Sequence, residues 1–256
     1  MSMKLAQAIA TLSPHRRILV YTGAGISTES GIPDFRGPNG LWTRVDPDDF
    51  TIDRYLQSPQ RRVEGWRMHA DGALWGARSN IEPNTAHLAV TRLWSAGLTS
   101  GVITQNVDGL HLVAGIPRES IAEIHGDVRR VTCLGCASEQ PIETVLERVD
   151  AGEEDPPCLE CGGILKPSTV MFGELLPPDE IEKADRFSVS ADAVLVIGST
   201  MSVYPAAEFP MAARRRGAPM VIVNQGRTDH DRWAHVKIDG PAGEIVPQIV
   251  DALVDA

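Results

Sequence analysis

The chain has 256 residues, 43% of them hydrophobic and 23% charged, with 23 glycines and 18 prolines, the make-up of an ordinary globular protein and not of a disordered or fibrous one. That length holds one well-buried α/β domain and leaves about forty residues for a small inserted module. A formal charge of −10 leaves no general basic face, which argues against nucleic-acid binding through phosphate neutralisation and suits a basic partner.

No window carries the eighteen or so apolar residues that a bilayer span needs, and the first ten residues turn polar too quickly for a signal peptide, so a cytoplasmic protein without membrane contact is expected. All four cysteines fall into two Cys-x-x-Cys pairs, which in a reducing compartment favours metal over disulfides.

In chain order, Lys4 to Leu12 has the spacing of a short amphipathic helix, ended by Ser13-Pro14. Arg17 to Tyr21 is a β-rich run that stops at a Gly-x-Gly turn, Gly23-Ala24-Gly25-Ile26-Ser27-Thr28, where glycines allow backbone N–H groups to approach a diphosphate. The third glycine of the dehydrogenase fingerprint is replaced by Thr28, and about twenty residues on no strand ends in an acid for the ribose. By itself the turn reads equally as a ligand site or as a plain tight turn. Gly31 to Gly37 then forms a stiff loop that sets Phe35 beside Arg36, suited to stacking on a ring and meeting a phosphate, or else a surface loop with one buried Phe. From Gly31 to Pro83, with Pro33, Pro38, Pro47 and Pro59, the stretch exceeds a simple crossover and is expected to form a loop and helices over a ligand cleft.

Three further runs, Gly101–Thr104, Ala193–Ile197 and Met220–Val223, are continuous apolar strands that end in small polar residues, separated by helical stretches such as 85–96 and 206–216. That alternation predicts an α/β fold with a Rossmann-type, doubly wound parallel sheet whose ligands sit at the carboxyl ends of the strands. Between Val128 and Thr169 the texture changes to loop-rich and cysteine-bearing, which marks the small inserted module. Cys133, Cys136, Cys158 and Cys161 have the spacing of two knuckles closing on one zinc. Four thiolates leave no open position, so the zinc is expected to be structural.

Thr104 to His111 begins at a strand end and presents Gln105, Asn106 and Asp108, a match for an amide-bearing ligand or a capped polar turn. His125, just ahead of the cysteine module, stands where a base could face two ligands at a domain junction. Among the other histidines, His87 has the place of a structural residue at a helix start, while His15, His69, His230 and His235 are expected to be exposed; His111 has no patterning to place it.

Taken together, these motifs resemble the sirtuins, the NAD-dependent protein deacylases, in the family's order and over nearly the whole chain: Gly23 to Ser27, Gly31 to Gly37, Gly40-Leu41-Trp42, Pro83-Asn84 with His87, Gln105 to Asp108, Glu123 to Gly126, the four cysteines, Phe172-Gly173-Glu174, Gly198 to Thr200 with Pro205-Ala206, and Asn224. The resemblance implies a Rossmann-type NAD-binding domain of residues 1–127 plus 170–256, with a helical cover at about 40–85, and a zinc-binding small domain of residues 128–169. It implies an enzyme in which NAD, as co-substrate, and an acyl-lysine protein substrate meet in the cleft, nicotinamide leaves, and the acetyl group passes to ADP-ribose.

Carried over residue by residue, His125 is the base, and Asn106 with Gln105 holds the ribose and an ordered water. Val107 and Asp108 bind the carboxamide. Gly23, Ala24, Gly25, Ile26, Ser27 and Thr28 form the diphosphate turn, with Phe35 shielding the ribose, Arg36 on the phosphates and Trp42 counted with them. Gly198, Ser199, Thr200, Asn224, Gln225, Gly226 and Ala242 fall to the rest of the cofactor, and Val170, Phe172, Gly173 and Glu174 to the substrate backbone as an added strand. Family members that remove acidic acyl groups carry a Tyr and an Arg three apart on a helix after the Gly-Leu-Trp motif; Val63 to Ala70 has no such pair, so a neutral acyl group is expected. An ADP-ribosyltransferase or NAD glycohydrolase using the same pocket, and an idle NAD sensor, are the rival readings.

Overall fold

The computed structural model describes residues 2–37, 40–43, 45–72 and 80–255. Its strands are β1 (Ile18–Thr22), β2 (Thr99–Thr104), β3 (Ile121–Glu123), β4 (Gly126–Cys133), β5 (Glu139–Pro141), β6 (Leu165–Thr169), β7 (Ala193–Ile197), β8 (Met220–Val223) and β9 (Val236–Ile238). Its helices are α1 (Met3–Leu12), α2 (Ile52–Gln57), α3 (Pro59–Ala70), α4 (Thr85–Ser95), α5 (Leu110–Val113), α6 (Ile142–Asp150), α7 (Pro178–Ser190), α8 (Glu208–Arg215) and α9 (Ala242–Val254).

Six strands pair in parallel in the order β3-β2-β1-β7-β8-β9. The continuous apolar runs are the central strands, because a parallel sheet is covered on both faces. Ile18 and Val20 of β1 face one core with α1, α4 and α9, while Leu19 and Tyr21 face the other with α7 and α8. All five β7 residues are fully buried, and each such aliphatic side chain contributes about 1.5–3 kcal/mol. This is the doubly wound, Rossmann-type sheet expected. The three-residue edge strands β3 and β9 went unpredicted, since so short a run carries no periodicity.

β5, β4 and β6 form a separate antiparallel sheet. The first strand of that sheet begins at Gly126, directly after His125. α6 packs its Ile142, Val145 and Leu146 on it, and Trp66 of α3 enters the same core. α3 starts where Ser58 caps the Arg61 N–H and Pro59 supplies a preset first-turn φ. One face of it, Arg62, Val63 and Trp66, is buried. Arg62 there donates to the carbonyls of Tyr55 and Leu56 and pairs with Asp155 at 2.8 Å, and the Tyr55 hydroxyl donates to the Leu165 carbonyl at 2.7 Å. The cover helices are thereby bonded to the small sheet.

Candidate active site

Chain direction across the parallel sheet reverses between β1 and β7, and the turns that follow them meet at this switch point, where α/β sheets bind ligands. Gly23 N–H donates to the Ile197 carbonyl at 3.1 Å and Gly25 N–H to the Gly198 carbonyl at 2.8 Å. A Cβ on Gly25 would lie 2.7 Å from the Gly198 Cα, and Gly198 itself sits at φ 61°, so both turns need glycine before any ligand is considered. These turns open onto a cleft of about 1530 Å³ walled by the parallel sheet, the cover and the 170–174 loop.

The segment after β2 supplies its polar floor. Asn106 Nδ2 donates to the Gly23 carbonyl at 3.3 Å and to Ser27 Oγ at 3.1 Å; Ser27 Oγ donates to Asp108 Oδ2 at 2.8 Å, and Leu110 N–H to Asp108 Oδ1 at 2.9 Å. Burial pushes the Asp108 carboxyl above its ordinary range, and those two donors pull it partly back. Ser27 lies behind this floor and joins Asn106 to Asp108. His87 backs it at 3.4 Å; because Asn84 N–H donates to His87 Nδ1, the proton sits on Nε2, the nitrogen facing Ser27. His87 thus has the structural place expected, inside a capping box with Asn84. His111, unplaced from sequence, is buried edge-on to His87 at 5.0 Å with its Nε2 3.0 Å from Thr22 Oγ1.

Gln105 reaches two ways. Its Nε2 donates to Ser199 Oγ at 2.8 Å across the switch point, and its backbone carbonyl lies 3.0 Å from His125 Nδ1. That carbonyl fixes the proton on Nδ1 and leaves Nε2 as the basic nitrogen of the ring. Burial lowers the His125 pKa, with the Gln105 carbonyl opposing, so the imidazole is neutral at pH 7. A neutral imidazole with a fixed tautomer on the wall of a cleft can act as a general base.

The 170–174 loop continues β6 along the cleft. Val170 N–H donates to the His125 carbonyl at 2.8 Å. Phe172 N–H donates to the Phe50 carbonyl and its own carbonyl accepts from Ile52 N–H, each at 3.0 Å, so the backbone of Phe172 is already paired with the cover. The Glu174 carboxylate is held by buried Lys166 at 3.0 Å and by Met171 N–H at 2.7 Å. Glu174 thereby serves as the latch of the loop. Nothing in the sequence around Lys166 signalled that its ammonium would be buried there.

Other site candidates lie off the cleft wall. Ile26 and Ala242 pack in the apolar core, and exposed Thr28 turns its hydroxyl back to the Gly25 carbonyl. Ala24, Phe35, Arg36, Val107, Thr200, Asn224, Gln225 and Gly226 do line the cleft; the Trp42 side chain lies outside what is described. Of the histidines expected to be exposed only His235 is so, while His15, His69 and His230 are half-buried. His69 is pushed down to about 4 by burial against the cover.

All four cysteines are free thiols. Their sulfurs lie within 4.8 Å of one another, Cys133 to Cys161 at 3.5 Å and Cys136 to Cys158 at 3.8 Å. A tetrahedron of sulfurs at the usual ~2.3 Å from zinc has edges of about this length. The set is positioned for one structural zinc.

Residues 23–205 match the Sir2 family. The chain belongs to the Sir2 family. It is 43% identical to NAD-dependent protein deacetylase 2 of Streptomyces coelicolor, over 92% of this chain and 97% of that one. It is also 40% identical to an NAD-dependent protein deacetylase of Caldivirga maquilingensis, over 96% and 92%. A Sir2 enzyme structure superposes with a TM-score of 0.87 at 38% identity, covering 99% of this chain and 98% of the other. A second, solved with a deacetylated peptide and 3′-O-acetyl ADP ribose, gives 0.86 at 35% identity, covering 97% and 98%. Membership in the Sir2 family accounts for the failed dehydrogenase fingerprint, since this sheet binds without the acid-ended strand of that pattern.

Proposed function

We propose that this Sir2-family chain is an NAD-dependent protein-lysine deacetylase that passes the acetyl group of a lysine side chain to ADP-ribose and releases nicotinamide. The observation that carries the reading is His125, neutral, with its tautomer set by the Gln105 carbonyl, on a wall shared by the glycine turns and the 170–174 loop. Binding alone needs no such base. The relatives named as deacetylases, and the neighbour holding 3′-O-acetyl ADP ribose beside a deacetylated peptide, support the same chemistry.

In this reading Asp108 and Val107 take the carboxamide of NAD, Asn106 and Gln105 the ribose and a water, and Ala24 with the glycine turns the diphosphate. Phe35 and Arg36 close over the reacting end, Ser199, Asn224 and Gln225 hold the adenosine half, and Trp42 is counted with the cofactor residues. Departure of nicotinamide leaves a ribose carbon open to the acyl oxygen, after which His125 Nε2 takes the proton of a ribose hydroxyl. Protein substrates enter along residues 170–174. Residues 128–169, holding the zinc, form the small domain beside the cofactor domain, and the enzyme acts in the cytoplasm; no helix among the described residues is long and apolar enough to cross a membrane.

The acyl group is neutral. α3 lines the cleft with Arg61, Arg62, Gly65, Trp66, Met68 and His69, and its three guanidinium groups already hold carboxylates of the chain, Arg61 with Asp49, Arg62 with Asp155 and Arg67 with Glu154. His69 is uncharged at pH 7. A succinyl carboxylate buried against this face would have to compete with Asp49 or Asp155 for its counter-charge, whereas an acetyl group needs none.

The test is product analysis by mass spectrometry after incubation with NAD and matched acetyl- and succinyl-lysine peptides, beside His125→Ala. Expected are deacetylated peptide, nicotinamide and acetyl-ADP-ribose, at least about 100-fold less of each with His125→Ala, and slower desuccinylation. NAD cleaved without deacylation would point to the transferase or glycohydrolase, and NAD bound without cleavage to the sensor.

A further inference from the structure

His125 stands between two carboxylates that lie off the cleft wall, Glu123 at 3% and Asp127 at 1% exposure. Arg118, in a one-turn helix ahead of β3, reaches both: one guanidinium nitrogen donates to Glu123 Oε2 at 2.8 Å and another to Asp127 Oδ2 at 3.1 Å. We propose that Arg118 is a positioning residue for the His125 base, its fork pinning the residues two before and two after the imidazole and so fixing the turn that aims it.

The turn needs such a tie. It is the joint at which the chain leaves the parallel sheet and enters the antiparallel one, with β3 ending at Glu123 and β4 starting at Gly126. Gly126 has φ 82°, and a Cβ there would run into the Ser168 carbonyl, so the joint bends sharply at a position only glycine fills. Just beyond, pairing of β4 with β6 breaks register between Asp127 and Val131. A planar guanidinium holding two carboxylates is a stiffer brace than the backbone bonds of a bent joint.

The two ends of the brace differ. Asp127 also accepts from the Arg129 N–H and guanidinium and lies 3.6 Å from Arg130, whereas among the described residues Arg118 alone donates to the Glu123 carboxylate. From α7, Glu180 accepts the Glu123 N–H and pairs with Lys183, which in turn donates to the Ile121 carbonyl. Loss of Arg118 therefore leaves Asp127 and the Glu123 backbone anchored but strips the Glu123 carboxylate of its donor, an imbalance that turns the His125 backbone rather than merely loosening it.

This inference rests on the deacylase reading, in which nicotinamide departs before the base acts. Exchange of labelled nicotinamide into NAD reports the first event and acetyl transfer the second. In Arg118→Gln, exchange should stay within about threefold of the parent while transfer falls about ten- to a hundredfold, with cooperative unfolding retained and Arg118→Lys recovering part of the loss. Transfer at the parent rate, or exchange and transfer falling together, would overturn the proposal. Should Arg118→Gln fail to fold, Arg118→Lys carries the same test with a smaller split, about three- to tenfold. The His125 ring proton resonance reads positioning without turnover: one line in the parent, displaced or doubled in the variant. An unchanged resonance sinks the proposal even in a protein that proves to have no deacylase activity, which would sink the parent reading alone.

Discussion

The two sheets of this molecule are held by different forces. In the parallel sheet, β1, β7 and β8 are buried along their whole length between helices on both faces, and apolar burial suffices. The antiparallel sheet mixes buried residues with half-exposed and exposed ones, and its core is a handful of aliphatic side chains, two cysteines and Trp66, lent by a helix far away in sequence. So small a core rarely folds alone; it needs a metal and a loan. The residues with chemistry lie where the self-sufficient sheet meets the dependent one.

Zinc removal tests that contrast most severely. Structural zinc contributes on the order of 10 kcal/mol to small modules of this kind, so chelation or Cys133→Ser should unfold β4 to β6 and abolish activity, while amide protons of β1, β2 and β7 stay protected in hydrogen exchange. Equal loss of protection in both sheets would show that they share one cooperative unit.

Next in size is the loan. Trp66→Ala removes the largest side chain of the small core and should cost about 3–5 kcal/mol, read as a lower first melting transition and easier zinc loss, with the parallel sheet's own transition unmoved. A single transition shifted as a whole would merge the two regions.

The smallest effect is at the seam. Burial raises Glu123 to about 7, so its contribution to stability is full below the ordinary 4.5 and is lost as pH rises through about 7; Asp127 is held low by Arg129 against burial, and its contribution is lost only as pH falls below the ordinary 3.8. Stability, read as melting temperature, should therefore decline between pH 4.5 and about 7 by at most about 3 kcal/mol, and Glu123→Gln should flatten the decline. A slope unchanged in Glu123→Gln would assign it to another group.

What the sequence made legible follows the same division. Strands that must be apolar on both faces announce themselves, as Ala193 to Ile197 does, and ligand-bearing turns follow from where those strands end. Cysteine knuckles are legible because metal geometry dictates their spacing. Illegible were features that depend on distant partners: Trp66 filling another sheet's core, Lys166 buried under the 170–174 loop, Ser27 tying Asn106 to Asp108, and Arg118, which stands in a short polar turn with no motif around it. Short edge strands escaped as well, because β3 and β9 derive their shape from the strand beside them.

One bond described above links recognition to rate. The Val170 N–H, at the start of the proposed substrate edge, is bonded to the carbonyl of His125, the proposed base. A peptide that draws this edge outward by a fraction of an ångström drags the imidazole with it, and one that seats the edge well sets the imidazole too. Preference among protein substrates should accordingly be written in turnover more than in affinity: peptides that bind alike will react unalike, and the enzyme will discriminate among partners it does not refuse.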